Sequence, residues 1–200
     1  TLLRIVAGLL AADAGSVTIR AGGERPVGYL AQRPEFRPQF TVAETLTFYG
    51  DLLDSEVAVD EALDLVGLTP VADRRVGALS GGMVRLLGLA QATVGDPGLL
   101  VLDEPSSGLD PTMTRHIGSV IDDLAAAGRS VLLATHDLDT VERIADQVLV
   151  LDRGGVAASG APEDLLARTG AASLVDAVPD LTDEAGEIGV AAGRRGGDHE

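Results

Sequence analysis

The chain has 200 residues, 46% hydrophobic and 23% charged, enough for one medium domain, or a domain with a small subdomain, around a buried core. The formal net charge is -16 and all 15 basic residues are arginine; so acidic a surface argues against nonspecific binding to nucleic acid or anionic lipid. Cysteine is absent, which excludes disulfides and thiolate metal sites and agrees with a cytoplasmic protein, and no apolar run reaches the ~18 residues that a membrane span requires. Aromatics make up 2%, so the core must be built from Leu, Val, Ile and Ala. The absence of lysine fits a halophilic host and a GC-rich genome equally.

Taken in chain order, Leu2 to Leu10 repeat apolar residues with helical spacing, with no cap before them. Asp13-Ala14-Gly15 reads as a turn, and Ser16 to Arg20 alternates as a strand that Gly22-Gly23 would end. Val27 to Ala31 is a short apolar strand leading to Gln32. Thr41 to Leu53 reads as a helix capped by Thr41, with Glu44 completing a capping box. Val57 to Val66 is a second helix. The loop Leu79 to Gly82 runs into a helix over Met83 to Val94, broken by Asp96-Pro97. Leu99 to Leu102 is continuously apolar, as in a parallel strand buried on both faces. Helix over Thr112 to Ala127, strand over Ser130 to Ala134, helix over Leu138 to Ala145, strand over Gln147 to Leu151 and a short helix over Pro162 to Arg168 follow. From about Gly170 the pattern dissolves into Gly, Ala, Asp and Glu, which predicts a flexible acidic tail. Alternation of strand and helix after residue 95 predicts an α/β fold with a parallel sheet. The partition expected is core over 1–40, an inserted α-helical subdomain over 41–95, core again over 96–168 and tail over 169–200.

Several short segments carry chemistry. Leu99 to Leu102 delivers Asp103 and Glu104 to the carboxyl end of a buried strand, where open α/β sheets bind ligands. Asp103 suits a magnesium ion held through water, and Glu104 suits a base that polarises an attacking water. Acidic residues also follow many strands without function. Ser80, Gly81, Gly82 and Met83 open a helix whose free N–H groups and close-approach glycines suit an anion; a plain capped helix looks the same. His136 follows a strand and could donate to a phosphate, although a lone His is more often structural. Gln32 and the turn Ser107-Gly108-Leu109-Asp110 say little individually. His116 and His199 have no neighbours that suggest a metal site.

The order of these segments is far more specific than any one of them. Gln after an early strand, a helical insert, Leu-Ser-Gly-Gly, apolar-strand-Asp-Glu, Ser-Gly-Leu-Asp and strand-Thr-His-Asp together resemble the ATP-binding cassette of ABC transporters, over Thr1 to about Arg168. The resemblance implies a RecA-like P-loop NTPase sheet with an inserted α-helical subdomain, ATP as substrate and Mg2+ as cofactor. It implies Gln32 as the Q-loop residue near metal and water, Ser80 to Met83 as the signature, and Asp103 and Glu104 as Walker B carboxylate and catalytic glutamate. Ser107 to Asp110 would be the D-loop, with Asp110 near nucleotide, and His136 the switch histidine. Thr1 corresponds to the residue just after the magnesium-binding hydroxyl, so the Walker A glycines and lysine, and the first strands, are expected before residue 1. No Lys in the chain could replace that lysine, and ATP turnover by these residues alone is not expected.

The partners implied are a second cassette, packed head to tail, and a separate transmembrane permease subunit at the cytoplasmic face of the membrane. Met83 stands where Gln is commonest, and Leu86 where a basic residue is usual. With Gly88 to Ala92, the first of these departures resembles export cassettes more than import ones. The alternatives are a translation-type ABC protein, a genome-maintenance ATPase with a long coiled coil, and a non-catalytic cassette that lends only its signature face. A single cassette, the roughly 50 residues between Gln32 and Ser80, and the intact Glu104 and His136 argue against each in turn.

Overall fold

The structure is a computed structural model that describes residues 1–20, 25–55 and 57–187. Two compact units divide the chain, Thr1–His136 and Asp137–Glu200, and each is described by itself.

The first unit is built on three parallel strands, β1 (Val27–Leu30), β2 (Leu99–Asp103) and β3 (Ser130–Ala134), in the order β1-β2-β3. Leu30 pairs with Leu102, and Asp103 with Ala134. The continuous apolar run of β2 follows from its central place: Leu100, Val101 and Leu102 are fully buried, each contributing about 1.5–3 kcal/mol of burial free energy. All three strands therefore end along one edge of the sheet, where the residues after them gather.

Helix α1 (Leu2–Val6) lies against β2. It is shorter than its apolar repeat suggests, because Gly8 takes a left-handed φ of 72° and the amide of Leu9 returns to the carbonyl of Arg4. The strand expected over Ser16 to Arg20 does not form. The alternation is there, but among the described residues no strand pairs with it, and unpaired extended backbone has no ladder to hold it. Gly22 and Gly23 lie outside the described residues.

Helices α2 (Val42–Leu52), α3 (Val59–Leu65) and α4 (Gly81–Thr93), with short 3₁₀ turns at Thr69–Val71 and Val76–Ala78, fill the chain between β1 and β2. The capping box on α2 forms as expected, with the Glu44 amide donating to Thr41 Oγ1 at 3.1 Å and the Thr41 amide to Glu44 Oε2 at 2.8 Å. Helix α4 crosses β1 at backbone contact distance. A Cβ on Gly28 would stand 1.9 Å from the Ala92 carbonyl oxygen, and one on Gly88 would stand 2.7 Å from Leu30 Cδ1. Helix α5 (Pro111–Ala126) packs on β3 and buries Ile117, Val120, Ile121 and Leu124 on one face.

The second unit has helices α6 (Leu138–Ile144), α7 (Pro162–Thr169) and α8 (Leu174–Glu187) on an antiparallel hairpin of β4 (Val148–Asp152) and β5 (Gly155–Gly160). Arg153 and Gly154, both with positive φ, make its tight turn. The flexible tail expected from residue 169 is corrected over Leu174–Glu187. Leu174, Ala177 and Leu181 recur at helical spacing and are fully buried against Val150, Ala158 and Leu165, so burial overrides the acidic composition. The rest of that expected tail, residues 188–200, with His199, lies outside the described residues. Among the described residues no helix is long and apolar enough to cross a membrane.

Candidate functional site at the carboxyl edge of the sheet

The ends of β1, β2 and β3 bring Gln32, Asp103, Glu104 and His136 to one edge of the sheet, because parallel pairing in register makes the strands stop together. Glu104 carries the sharpest local feature. Its φ is 51°, a left-handed conformation that costs a residue with a Cβ about 1–3 kcal/mol and collects at functional sites. The Glu104 amide donates to the Ala134 carbonyl at 2.8 Å, which fixes the turn out of β2 to the end of β3. Glu104 Oε2 stands 2.8 Å from His136 Nδ1, with side-chain exposures of 21% and 75%. The oxygen itself is shielded from solvent. A shielded carboxylate oxygen at the end of the central strand is suited to take a proton from a bound water or hydroxyl.

Asp103, one residue earlier, accepts a long hydrogen bond from the Tyr29 hydroxyl at 3.4 Å. Burial pushes the Tyr29 phenol above its usual pKa, the charge of Asp103 and this hydrogen bond push the same way, and Arg4 pulls it down. Among the described residues no group of three or more His, Asp or Glu side chains is placed to hold a metal ion. Magnesium does not require one: it is ordinarily held by one or two carboxylates, waters and substrate phosphates, and Asp103 beside Glu104 fits that donor set.

Ser80 caps α4, its Oγ accepting from the Met83 amide at 3.3 Å. A Cβ on Gly81 would meet nothing within 4 Å, so the start of the helix is open on that side and an anion has room to approach its N–H groups. Gly82 is buried against Met113, whose Cγ would lie 3.0 Å from a Cβ there, and this contact sets Ser80 to Met83 beside the first turn of α5. Asp110 caps α5, its Oδ1 accepting from the amides of Thr112 and Met113 at 2.9 and 3.0 Å. Thr1 precedes α1 and makes no side-chain cap bond. The structure therefore groups Gln32, Asp103, Glu104 and His136 at the strand ends, and Ser80 to Met83 with Asp110 at two neighbouring helix starts.

Sequence reasoning passed over Arg85. Its guanidinium donates to the Gln32 carbonyl and, at 3.3 Å, to the Ser107 carbonyl. Burial lowers its pKa, Glu104 opposes that shift and Arg33 adds to it. The signal was available: Arg85 is the single charge in the otherwise apolar and glycine stretch Gly81 to Ala90.

An open parallel sheet with paired carboxylates at the end of its central strand and anion-ready helix starts nearby is the architecture of a P-loop NTPase. A solved ATP-binding subunit of an ABC transporter superposes with a TM-score of 0.76 at 26% identity, covering 90% of this chain and 82% of that one. A nucleotide-free ATP-binding cassette from an ABC transporter gives 0.73 at 24% identity, over 88% and 81%, and speaks to the fold alone. Residues 1–107 match the ABC transporter family, and the chain belongs to that family. It is 37% identical over 178 residues to the Nod factor export ATP-binding protein I of Bradyrhizobium sp. (strain SNU001), covering 83% of this chain and 58% of that protein. The protein of that name from Paraburkholderia xenovorans (strain LB400) is 38% identical over 182 residues, covering 84% and 59%. The chain thus spans less than two thirds of these curated relatives.

Proposed function

We propose that this chain is part of the ATP-hydrolysing subunit of an export-type ABC transporter, acting in a head-to-tail pair of cassettes bound to a separate membrane subunit at the cytoplasmic face. The observation that carries the hydrolytic part is Glu104 at the end of β2, held in a left-handed turn with Oε2 at 2.8 Å from His136 Nδ1. Glu104 accepts the proton of the attacking water, and His136, beside it, donates to the γ-phosphate. Gln32 contacts water and metal from the end of β1. Asp103 would hold Mg2+, which would neutralise charge developing on the phosphates. Ser80, Gly81, Gly82 and Met83 meet the nucleotide of the opposite cassette, beside Asp110.

The export assignment rests on the relatives named for export and on Met83 in the signature. A surface for the membrane subunit lies just past Gln32. Four of the chain's five Phe and Tyr side chains, Phe36, Phe40, Phe48 and Tyr49, interlock edge to face there, with Arg37 over Phe40 and Phe48. They are half-buried, and aromatic and Arg side chains dominate binding energy at protein interfaces. The phosphate cradle of a P-loop needs a lysine, and these 200 residues contain none, so a polypeptide limited to them is expected to turn over no ATP.

Magnesium-dependent phosphate release by the full-length protein, with and without its membrane subunit, tests the reading. Turnover that the subunit stimulates supports it. A folded full-length protein that releases no phosphate in either state refutes it.

A further inference from the structure

We infer that Arg85 is a positioning residue that holds the Gln32 loop and the Ser107 turn to the signature helix, so that a displacement of α4 is passed to the hydrolytic edge of the sheet. The inference rests on the functional reading above. Arg85 is on the second turn of α4, five residues from Ser80, or about 7.5 Å along the axis. Its two terminal nitrogens reach backbone carbonyls of two different loops: Nη1–H donates to Gln32, 53 residues earlier, and Nη2–H to Ser107, 22 residues later. Those loops leave the ends of β1 and β2, the strands that deliver Gln32 and Asp103–Glu104. The Ser107 turn is tied to Glu104 as well, since the Ser107 amide donates to the Glu104 carbonyl at 3.2 Å.

The chemistry favours arginine at this point. A planar fork with fixed N–H directions can satisfy two carbonyls on separate loops at once, whereas an ammonium on a flexible stem cannot set their relative position. Burial disfavours the charge of this half-buried guanidinium, Glu104 favours it and Arg33 opposes it. Arg85 touches no reacting atom; it acts through Gln32, Ser107 and Glu104. Its expected signature is therefore a loss in kcat at nearly constant KM for MgATP.

The test uses the full-length protein with Arg85→Met, Arg85→Lys, Gln32→Ala and the double variant Arg85→Met/Gln32→Ala, measuring kcat, KM and melting temperature. A misplacement of about 1 Å can cost about 100-fold in rate, so Arg85→Met is expected to lower kcat by at least about tenfold with KM within about twofold. Arg85→Lys should fall between Arg85→Met and the wild type. Acting through Gln32 makes the two sites non-additive: on the Gln32→Ala background, Arg85→Met should cost at least about threefold less than on the wild type. Unchanged kcat in folded Arg85→Met, or full additivity with Gln32→Ala, overturns the inference. Should Arg85→Met fail to fold, Arg85→Lys decides: lower kcat at unchanged KM and melting temperature supports the role, and wild-type kcat overturns it. A Glu104→Gln control separates the two failures, because wild-type turnover in that control would refute the functional reading itself.

Discussion

Replacing Glu104 by Gln removes a charge while keeping length, shape and the strained backbone, since Gln pays the same cost as Glu at a φ of 51°. The stability lost is small. His136 is 75% exposed, so its pairing with Glu104 is screened by solvent and contributes at most about 1 kcal/mol. The catalytic loss is larger: a positioned general base supplies about 10²–10⁴ in rate, or about 3–5 kcal/mol of barrier. The two effects separate cleanly in one experiment, steady-state MgATP hydrolysis by the full-length variant alongside its thermal melt. The expected result is kcat lowered by at least about 100-fold with a melting temperature close to that of the wild type. A folded Glu104→Gln protein with kcat within about tenfold of the wild type would show that another group takes the proton, and the assignment of Glu104 would fall.

Three further outcomes follow from the packing and the charges. Gly28→Ala places a Cβ 1.9 Å from the Ala92 carbonyl oxygen and 2.9 Å from Leu100 Cδ2; it should destabilise by about 1–3 kcal/mol or more in urea unfolding, whereas Gly81→Ala, with open space around it, should not lower stability. Leu181→Ala empties a fully buried site in the second unit and should cost about 2–5 kcal/mol, read by thermal melting or limited proteolysis; a disordered tail would tolerate it without effect. Tyr29 has a folded pKa raised above the ordinary 10.0, so its protonated form is favoured by folding. That contribution is complete below pH ~10 and is lost as pH rises through the folded value. The phenolate absorbance that disappears in Tyr29→Phe should therefore titrate above pH 10, and a midpoint at or below that value would contradict the contact with Asp103.

The gathering of Gln32, Asp103, Glu104 and His136 at the strand ends was legible in the sequence because its signals are local. A buried parallel strand must be continuously apolar, so the charged pair Asp103–Glu104 marks its end. Ser80 and Asp110 announce helix starts by their own side-chain chemistry. What escaped depends on contacts made outside each segment. Ser16 to Arg20 alternates correctly, yet alternation cannot supply a neighbouring strand. The hairpin strand β5 reads Gly-Val-Ala-Ala-Ser-Gly, with a single β-branched residue, and is held by pairing with β4. In α8 the acidic residues and Pro179 hid an apolar set at Leu174, Ala177 and Leu181. Arg85 was invisible as a tether because its acceptors are backbone carbonyls, which any residue type provides.

The two glycines where α4 meets β1 have a mechanical consequence. With the Ala92 carbonyl over Gly28, backbone meets backbone directly at that point, and Leu30 Cδ1 fills the space against Gly88. Close-packed seams of that kind compress little and transmit strain. A displacement at the start of α4 is then passed to the loop beyond β1 with little slack, and even a single methyl group inserted at Gly28 would force the two elements apart.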